Sequence, residues 1–415
     1  MALAAVFCAA LLVRIGAMWA QYPSLQEDPD AYRRLAVTWR TTGVFGLAEG
    51  TSQPTEPRPT AYRPPLYPLL LSVLLHGDAL SPMAVAVAHV VLGAATAAIT
   101  YLLAWRAGLG RGAWLAVGLT ACDPILMRQA SLVMTETLAA LLAVVGLVAV
   151  ARFHRKPTLA AAGVVGSLVG LATLCRPTFL PWLLLLVGWV LLGPKPSRRI
   201  AHAAALLGAA AAVLAPWTIR NLVQLDRPIF TTTHGGYTLW LGNNDHYYDH
   251  LFQGRSRPFD AAWLLPRLEQ LRAAHLNDEV GLDRALYQEA GDSIRRRPGA
   301  FAYACLLRIR DLWRLTPRKV QDSESTQQTL MRIAVGGWYA AVFLLTLRGL
   351  IAVGRHLVAP PWIGLVLLCV AFTAVHTFYW TDMRMRGPLM PGVSLLAAAG
   401  AARLTQRRSD LQSVS

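Results

Sequence analysis

The chain has 415 residues, 55% of them hydrophobic and 15% charged, with a mean hydropathy of +0.41. A soluble domain carries charge on about a quarter of its residues, and a chain this apolar cannot cover its own surface with polar groups, so lipid must be its solvent. The formal charge of +16 does not indicate a nucleic-acid binder, because the basic residues sit in short clusters between apolar runs, the arrangement that sets membrane orientation.

A helix needs about 20 apolar residues to cross the hydrocarbon. The first candidate is Ala2–Trp19. Small residues around Ala17–Ala20 also fit a signal-peptide cleavage site, but no basic residue precedes the run and Arg14 interrupts it, which favours a retained helix. Next comes the acidic stretch Glu27-Asp28-Pro29-Asp30-Ala31-Tyr32, leading into an amphipathic Asp30–Thr42. Pro64-Pro65-Leu66-Tyr67-Pro68 and the apolar Leu69–Leu74 follow, a run too short to span and suited to lie at the interface.

Further spans are expected at Met83–Trp105, Ala113–Ala121 running on toward Met127, Thr135–Phe153, Leu159–Leu174, Phe179–Leu192 and Ile200–Thr218. Leu330–Leu347, Pro361–Phe378 and Gly387–Ala402 complete about ten. Gly163, Gly166 and Gly170, at helical spacing, predict close helix packing. The expected fold class is therefore an all-α polytopic membrane protein.

Alternate connections are basic: Arg106–Arg111, Arg152–Lys156, Lys195–Arg199, Arg348–Arg355 and Arg403–Arg408. The positive-inside rule makes their side cytoplasmic. Two long connections, Gln21 to Pro82 and Leu222 to Thr329, then lie outside. The second holds 14 Lys/Arg against 13 Asp/Glu and reads as a small folded segment, with helices Ala261–Ala274, Asp283–Arg295 and Phe301–Leu315 around a turn-rich His234–Tyr248. The organisation expected is a transmembrane module at 1–221 with a first outer loop at 21–82, an extracytoplasmic segment at 222–329, and C-terminal spans with a short cytoplasmic tail at 330–415.

Ionisable groups at membrane depth are expensive and mark a site or a satisfied pair. Four polar clusters fall at outer helix ends: Glu27–Tyr32; Arg128 with Thr135-Glu136; Arg176-Pro177 with Pro216–Asn221; and His376, Tyr379 and Trp380–Pro388. Glu136 enters an otherwise apolar helix, so its burial needs a cation or a ligand, although a first-turn acid capped by Thr135 also suits the helix dipole. Arg384 and Arg386 stand on the side where arginine is disfavoured, and planar guanidinium groups suit phosphate oxygens; snorkelling anchors are the alternative.

The five cysteines show no CxxC and no metal spacing. His246 and His250, four apart, would present two ligands on one helical face, but the preceding Gly-Asn-Asn predicts a turn there. No phosphate loop, HExxH or GxSxG is present, so an ATP-driven pump, a metalloprotease of that type and a lipase are not supported.

The pattern resembles the GT-C superfamily of polytopic glycosyltransferases, in the branch of the protein O-mannosyltransferases and the aminoarabinose transferases that act on lipid A. The resemblance runs over nearly the whole chain. It is carried by Asp28-x-x-x-Tyr32-x-x-x-Ala36, Arg63-Pro64-Pro65-Leu66-Tyr67-Pro68, Thr135-Glu136, Arg176-Pro177, Pro216-Trp217-x-x-Arg220-Asn221, Gly236-Tyr237-x-Leu239-x-Leu241-Gly242-Asn243-Asn244, and Asp382-x-Arg384-x-Arg386-x-Pro388-x-x-Pro391.

The resemblance implies a GT-C-like fold and transfer of a sugar from a polyprenyl phosphate to a lipid, glycan or protein acceptor at the outer membrane face, with inversion. Asp28 is implied as general base with Asp30 as competitor, and Glu136 as a second acidic position. Arg63, Arg384 and Arg386, with Arg220, would face the donor phosphate. Tyr32, Tyr67, His376, Tyr379 and Asp382 would line the substrate site. Aminoarabinose transferases carry an acidic residue and a lysine where Tyr62 and Arg63 stand, so no metal site follows here; a divalent cation is left open and no resident cofactor is named. A lipid-linked-sugar flippase or transporter, and a ligase using a polyprenyl diphosphate, are the competing expectations.

Overall fold

The computed structural model describes residues 2–47, 56–193, 198–252, 259–319 and 324–412, with side chains to residue 402. Lys195, and the side chains of the Arg403–Arg408 cluster, lie outside the described residues.

The chain is almost wholly helical. α1 (Ala2–Gln21) leads through a 3-10 turn to α2 (Tyr32–Thr42), then to an antiparallel pair of two-residue strands, β1 (Gly46–Leu47) and β2 (Arg58–Pro59), and to α3 (Leu66–Val73). The expected amphipathic and interfacial segments are thus α2 and α3. The bundle continues with α4 (Pro82–Arg106), α5 (Gly112–Ala121), α6 (Pro124–Ala130), α7 (Glu136–Arg155), α8 (Leu159–Cys175), α9 (Leu180–Leu192) and α10 (Arg199–Leu225). α11 (Gly235–Gly242), α12 (Asp245–Phe252), α13 (Leu265–Ala274), α14 (Glu279–Arg296) and α15 (Pro298–Leu312) form the inserted segment. α16 (Thr326–Val353), α17 (Trp362–Phe378) and α18 (Met390–Gln412) return to the bundle.

Among the described residues five stretches are long and apolar enough to cross a membrane, Ala2–Gln26, Pro82–Arg106, Glu136–Arg155, Arg199–Leu225 and Thr326–Val358; α5, α8, Pro177–Leu192 and α17 are apolar but shorter. The chain is a multi-pass membrane protein. The expected span running from Ala113 to Met127 breaks at Cys122, because Asp123-Pro124 starts a new helix: the Asp123 side chain accepts from the Leu126 N–H and Pro124 takes the first turn. The expected Gly387–Ala402 span begins later, at Met390, after a 3-10 segment Met383–Leu389.

α4, α7 and α18 form the buried centre, with α1 and α5 packed on α4, α16 on α18, and α10 on α8. The glycine spacing in α8 does the work expected of it: a Cβ at Gly166 would collide with the Leu206 carbonyl of α10 and one at Gly170 would press on Val213 and Ala210; in α16, a Cβ at Gly349 would likewise collide with the Leu396 carbonyl of α18. α1 is tied in at depth, for Arg14 is 3% exposed and donates to the Thr120 and Leu126 carbonyls at 3.0 and 3.2 Å.

One expectation fails clearly. His234–Tyr248 is not a turn region but mostly helix, α11 running into α12. Tertiary contacts override the glycines: Gly236 lies hard against the backbone of Asp283, whose carboxylate accepts the Gly236 N–H at 2.7 Å, and Asn244 accepts the Tyr247 N–H at 2.8 Å to cap α12. His246 and His250 therefore share a helix, but their rings pack on Trp263 and Phe259.

Candidate functional site

The N-terminus of α7, the C-termini of α8 and α17 and the 3-10 segment before α18 meet at one end of the bundle, under the loop that carries α2 and α3. Glu136, 1% exposed, opens α7 there. Arg176, in the break after α8, ion-pairs with Glu136 Oε1 at 3.0 Å, and Arg384 approaches the same oxygen at 4.0 Å. Glu136 Oε2 is buried with no hydrogen-bond partner among the described residues. A carboxylate at this depth needs compensating charge, and the two arginines supply it.

Asp28 accepts the Arg33 and Arg34 N–H groups at 3.0 and 3.1 Å, which fixes the start of α2. Ala31, beside it, holds a left-handed φ of 62°, unusual for a residue with a Cβ. The turn delivers Asp30 to Arg63: the guanidinium donates to the Asp30 carboxylate at 2.7 Å and to its carbonyl at 3.2 Å. Arg63 also lies over the Tyr62 and Tyr32 rings, at 4.5 and 5.5 Å.

Tyr32 links the two charge clusters. Burial pushes its phenol well above the usual range; Arg63 and Arg176 oppose that push, while Asp30 and Glu136 add to it. Tyr67 meets Tyr32 edge-on at 5.2 Å, and its hydroxyl bonds His89 at 2.9 Å. Burial raises Tyr67 too, with both Glu136 and Asp28 contributing. Asp28, Asp30, Tyr32, Arg63, Tyr67, Glu136 and Arg384 are thus brought to one place.

Other expected residues do different work. Arg386 is fully buried; it donates to the Leu312 and Arg314 carbonyls at 2.8 and 2.6 Å and stacks on Tyr339 at 4.3 Å. It braces α15 against α16 and α18 and has turned away from Glu136. Arg220 donates to the Thr60 and Phe45 carbonyls at 2.8 and 2.6 Å, fastening the β1–β2 pair to α10. Asp382 caps the 3-10 segment through the Arg384 N–H at 3.2 Å. Tyr379 reaches Tyr287 of α14 at 3.4 Å. His376 is 6% exposed, with neither ring nitrogen hydrogen-bonded among the described residues.

Sequence reasoning missed three residues. Arg176 stands in one of the four polar clusters and in a motif but carries no expected role, yet among the described residues it is the cation nearest to Glu136. His234 meets Tyr62 edge-on at 4.5 Å and stacks on Tyr237 at 5.1 Å, and burial together with Arg63 holds it well below the usual histidine range, hence neutral. Glu279 of α14 accepts from the Thr60 and Thr233 hydroxyls and from the Ala61 N–H at 3.0 Å, locking the inserted segment to the first loop. Gly235-Gly236, which permits the close approach of α14, was the one signal available. Among the described residues no group of three or more His, Cys, Asp or Glu side chains is arranged to hold a metal ion.

No protein-family model and no curated protein sequence matches the chain. Among solved structures it is similar to the oligosaccharyltransferase of Archaeoglobus fulgidus, tethered with an acceptor peptide containing the NVT sequon via a disulfide bond, at 12% identity and a TM-score of 0.55 over all of this chain and 51% of that one. The chain thus spans about half the length of that enzyme. It also aligns with ArnT from Cupriavidus metallidurans bound to undecaprenyl phosphate, at 17% identity and a TM-score of 0.46 over 96% of this chain and 77% of that one. The fold is GT-C-like, as the sequence resemblance led us to expect.

Proposed function

We propose that the protein is an inverting glycosyltransferase that moves a sugar from a polyprenyl phosphate to an acceptor at the extracytoplasmic membrane face. One observation carries the reading: a buried glutamate with two arginines beside it faces the two-aspartate loop across Tyr32, at the end of the bundle that also bears the inserted segment. The sequence resemblance and the fold shared with the archaeal oligosaccharyltransferase support it.

In this reading an acceptor hydroxyl or amine attacks the anomeric carbon and loses its proton to a loop carboxylate, while the carbon–oxygen bond to phosphate breaks and polyprenyl phosphate departs. Asp28 and Asp30 are the candidate bases. Arg384, 29% exposed, and Arg176 stabilise charge developing on the leaving phosphate. Glu136 Oε2, with an unused lone pair, accepts from a sugar or acceptor hydroxyl. Arg386 and Arg220 are set outside the phosphate set, since their guanidiniums are anchored on backbone carbonyls, although Arg386 Nε and Nη2 are buried with no hydrogen-bond partner among the described residues. On this view residues 1–221 hold the catalytic module and its loop at 21–82, 222–329 the outer segment that closes over it, and 330–415 the helices that bring Arg384.

Purified protein given radiolabelled polyprenyl-phosphate sugars and a membrane extract as acceptor should transfer label. Asp28→Asn or Asp30→Asn should abolish transfer in protein that remains folded, the Asp30 variant melting somewhat lower because it loses the charge paired with Arg63. Full turnover by both variants, or movement of labelled lipid across proteoliposomes with no covalent product, would refute the proposal.

A further inference from the structure

At the opposite end of the bundle lies a second polar cavity, of about 500 Å³, where the C-termini of α4, α7 and α16 and the start of α17 come together. Arg106, Arg155 and His356 line it, with Leu109, Pro361 and Trp362 among its apolar walls. Among the described residues none of the three basic side chains has a hydrogen-bond or ion-pair partner. No acid is near in sequence either: the connections 106–112, 152–158, 193–199 and 348–361 hold ten Lys/Arg and no Asp or Glu, and Asp410 is the first acid of the C-terminal tail.

Arg106 and Arg155 stand in the last turns of α4 and α7, where a cation complements the helix dipole. That accounts for their sign. It does not account for their convergence with His356, from a third element, around a cavity in the size range of small-molecule sites.

We propose that this cavity binds the phosphate of an anionic phospholipid head group. Two guanidiniums and an imidazole with no carboxylate among them match a phosphate monoanion or dianion, and basic pockets between transmembrane helices are suited to such head groups. Lipid is favoured over a free anion because exposed apolar residues adjoin the lining: Trp105, Ile351 and Val358, each next to a lining residue, are 58, 71 and 73% exposed. Those surfaces would lie along acyl chains while the phosphate sits inside. The site is remote from Glu136 and stands whether or not the transferase reading holds.

The test is thermal melting of the delipidated, detergent-purified full chain titrated with phosphatidylglycerol, phosphatidylcholine or inorganic phosphate. Three proteins are compared: wild type, Arg106→Gln/Arg155→Gln/His356→Gln, and Arg111→Gln/Arg152→Gln, which removes the same number of arginines from that end without touching the lining. Phosphatidylglycerol should raise the midpoint of wild type and of the second variant, with the apparent affinity of the lining variant weaker by about tenfold or more. Equal loss in both variants would reduce the effect to bulk charge and overturn the site. An inorganic phosphate response as strong as that of the lipid would overturn the lipid assignment. If the lining variant is not recovered folded, native mass spectrometry of Arg155→Gln decides: undiminished retention of phosphatidylglycerol relative to wild type would overturn the proposal.

Discussion

Glu136→Gln keeps the shape of the side chain and removes its charge. The carboxylate is 1% exposed, and Arg176, with its side chain 11% exposed, sits 3.0 Å away. The substitution leaves the Arg176 guanidinium beside a neutral amide, with another cation, Arg384, close by. Removing one partner of a buried pair costs about 3–5 kcal/mol, most of it the uncompensated charge that stays behind. At about 1–2 °C per kcal/mol for a chain of this size, the midpoint should fall by roughly 3–10 °C.

Arg176→Met strands the glutamate instead and should cost a similar amount, tempered by Arg384. The double variant removes both charges, so it should be clearly more stable than the sum of the two single losses, with a coupling of about 2 kcal/mol. Thermal and denaturant unfolding in one detergent measures all four corners of the cycle. Losses that add to within about 0.5 kcal/mol would show that the two groups do not depend on each other, and the electrostatic account of the site would fail.

Ala31→Gly should stabilise the protein by about 1 kcal/mol in the same assay, because the left-handed φ of 62° strains a residue with a Cβ and not a glycine. Burial raises Asp283 to about 6, opposed by the Gly236 N–H, so the folded state holds this proton more tightly than the unfolded chain; stability from this group is present below about pH 4 and lost as pH rises to about 6. Asp283→Asn should therefore flatten the stability profile across that window, read by thermal melts at stepped pH. Glu279→Ala leaves the Ala61 N–H and two hydroxyls without their acceptor, at about 1–3 kcal/mol, and hydrogen exchange at Ala61 and Thr233 should accelerate well before the bundle loosens.

The membrane class, the two short helices of the first loop and the helical inserted segment were legible because each rests on local pattern: apolar length, a 3.6-residue period, a proline at a boundary. The Glu136 expectation was legible for a related reason, since one acid in an apolar helix has to be paired. Its partner was not. Arg176 lies forty residues away, and only the packing of α7 on α8 brings the two together. Helix α11 was invisible for the same cause, for it opens on Gly235-Gly236, which read locally as a turn, and Asp283 of α14 fixes its start. Local sequence names groups that need compensation; the identity of the compensating group is a tertiary fact.

Arg384 and Arg386 sharpen this point. Both stand in one motif, at one end of the bundle, and the chemistry of phosphate recognition recommends them equally. The segment between Met383 and Leu389 is a 3-10 helix, however, and at three residues per turn two positions apart differ by about 240° around the axis. One side chain therefore reaches toward Glu136 while the other is driven into the packing of α15 and α16, where carbonyls and the Tyr339 ring occupy it. Had the segment been extended, alternate residues would share a face and the pair would act together. Arginines two apart in such a motif are thus to be weighed by the backbone between them: Arg384→Gln should impair ligand handling with little loss of stability, and Arg386→Gln should do the reverse, a split measurable by comparing lipid-phosphate binding with the thermal midpoint in each variant. Equal loss of both properties in the two variants would show that the helical phase does not separate their roles.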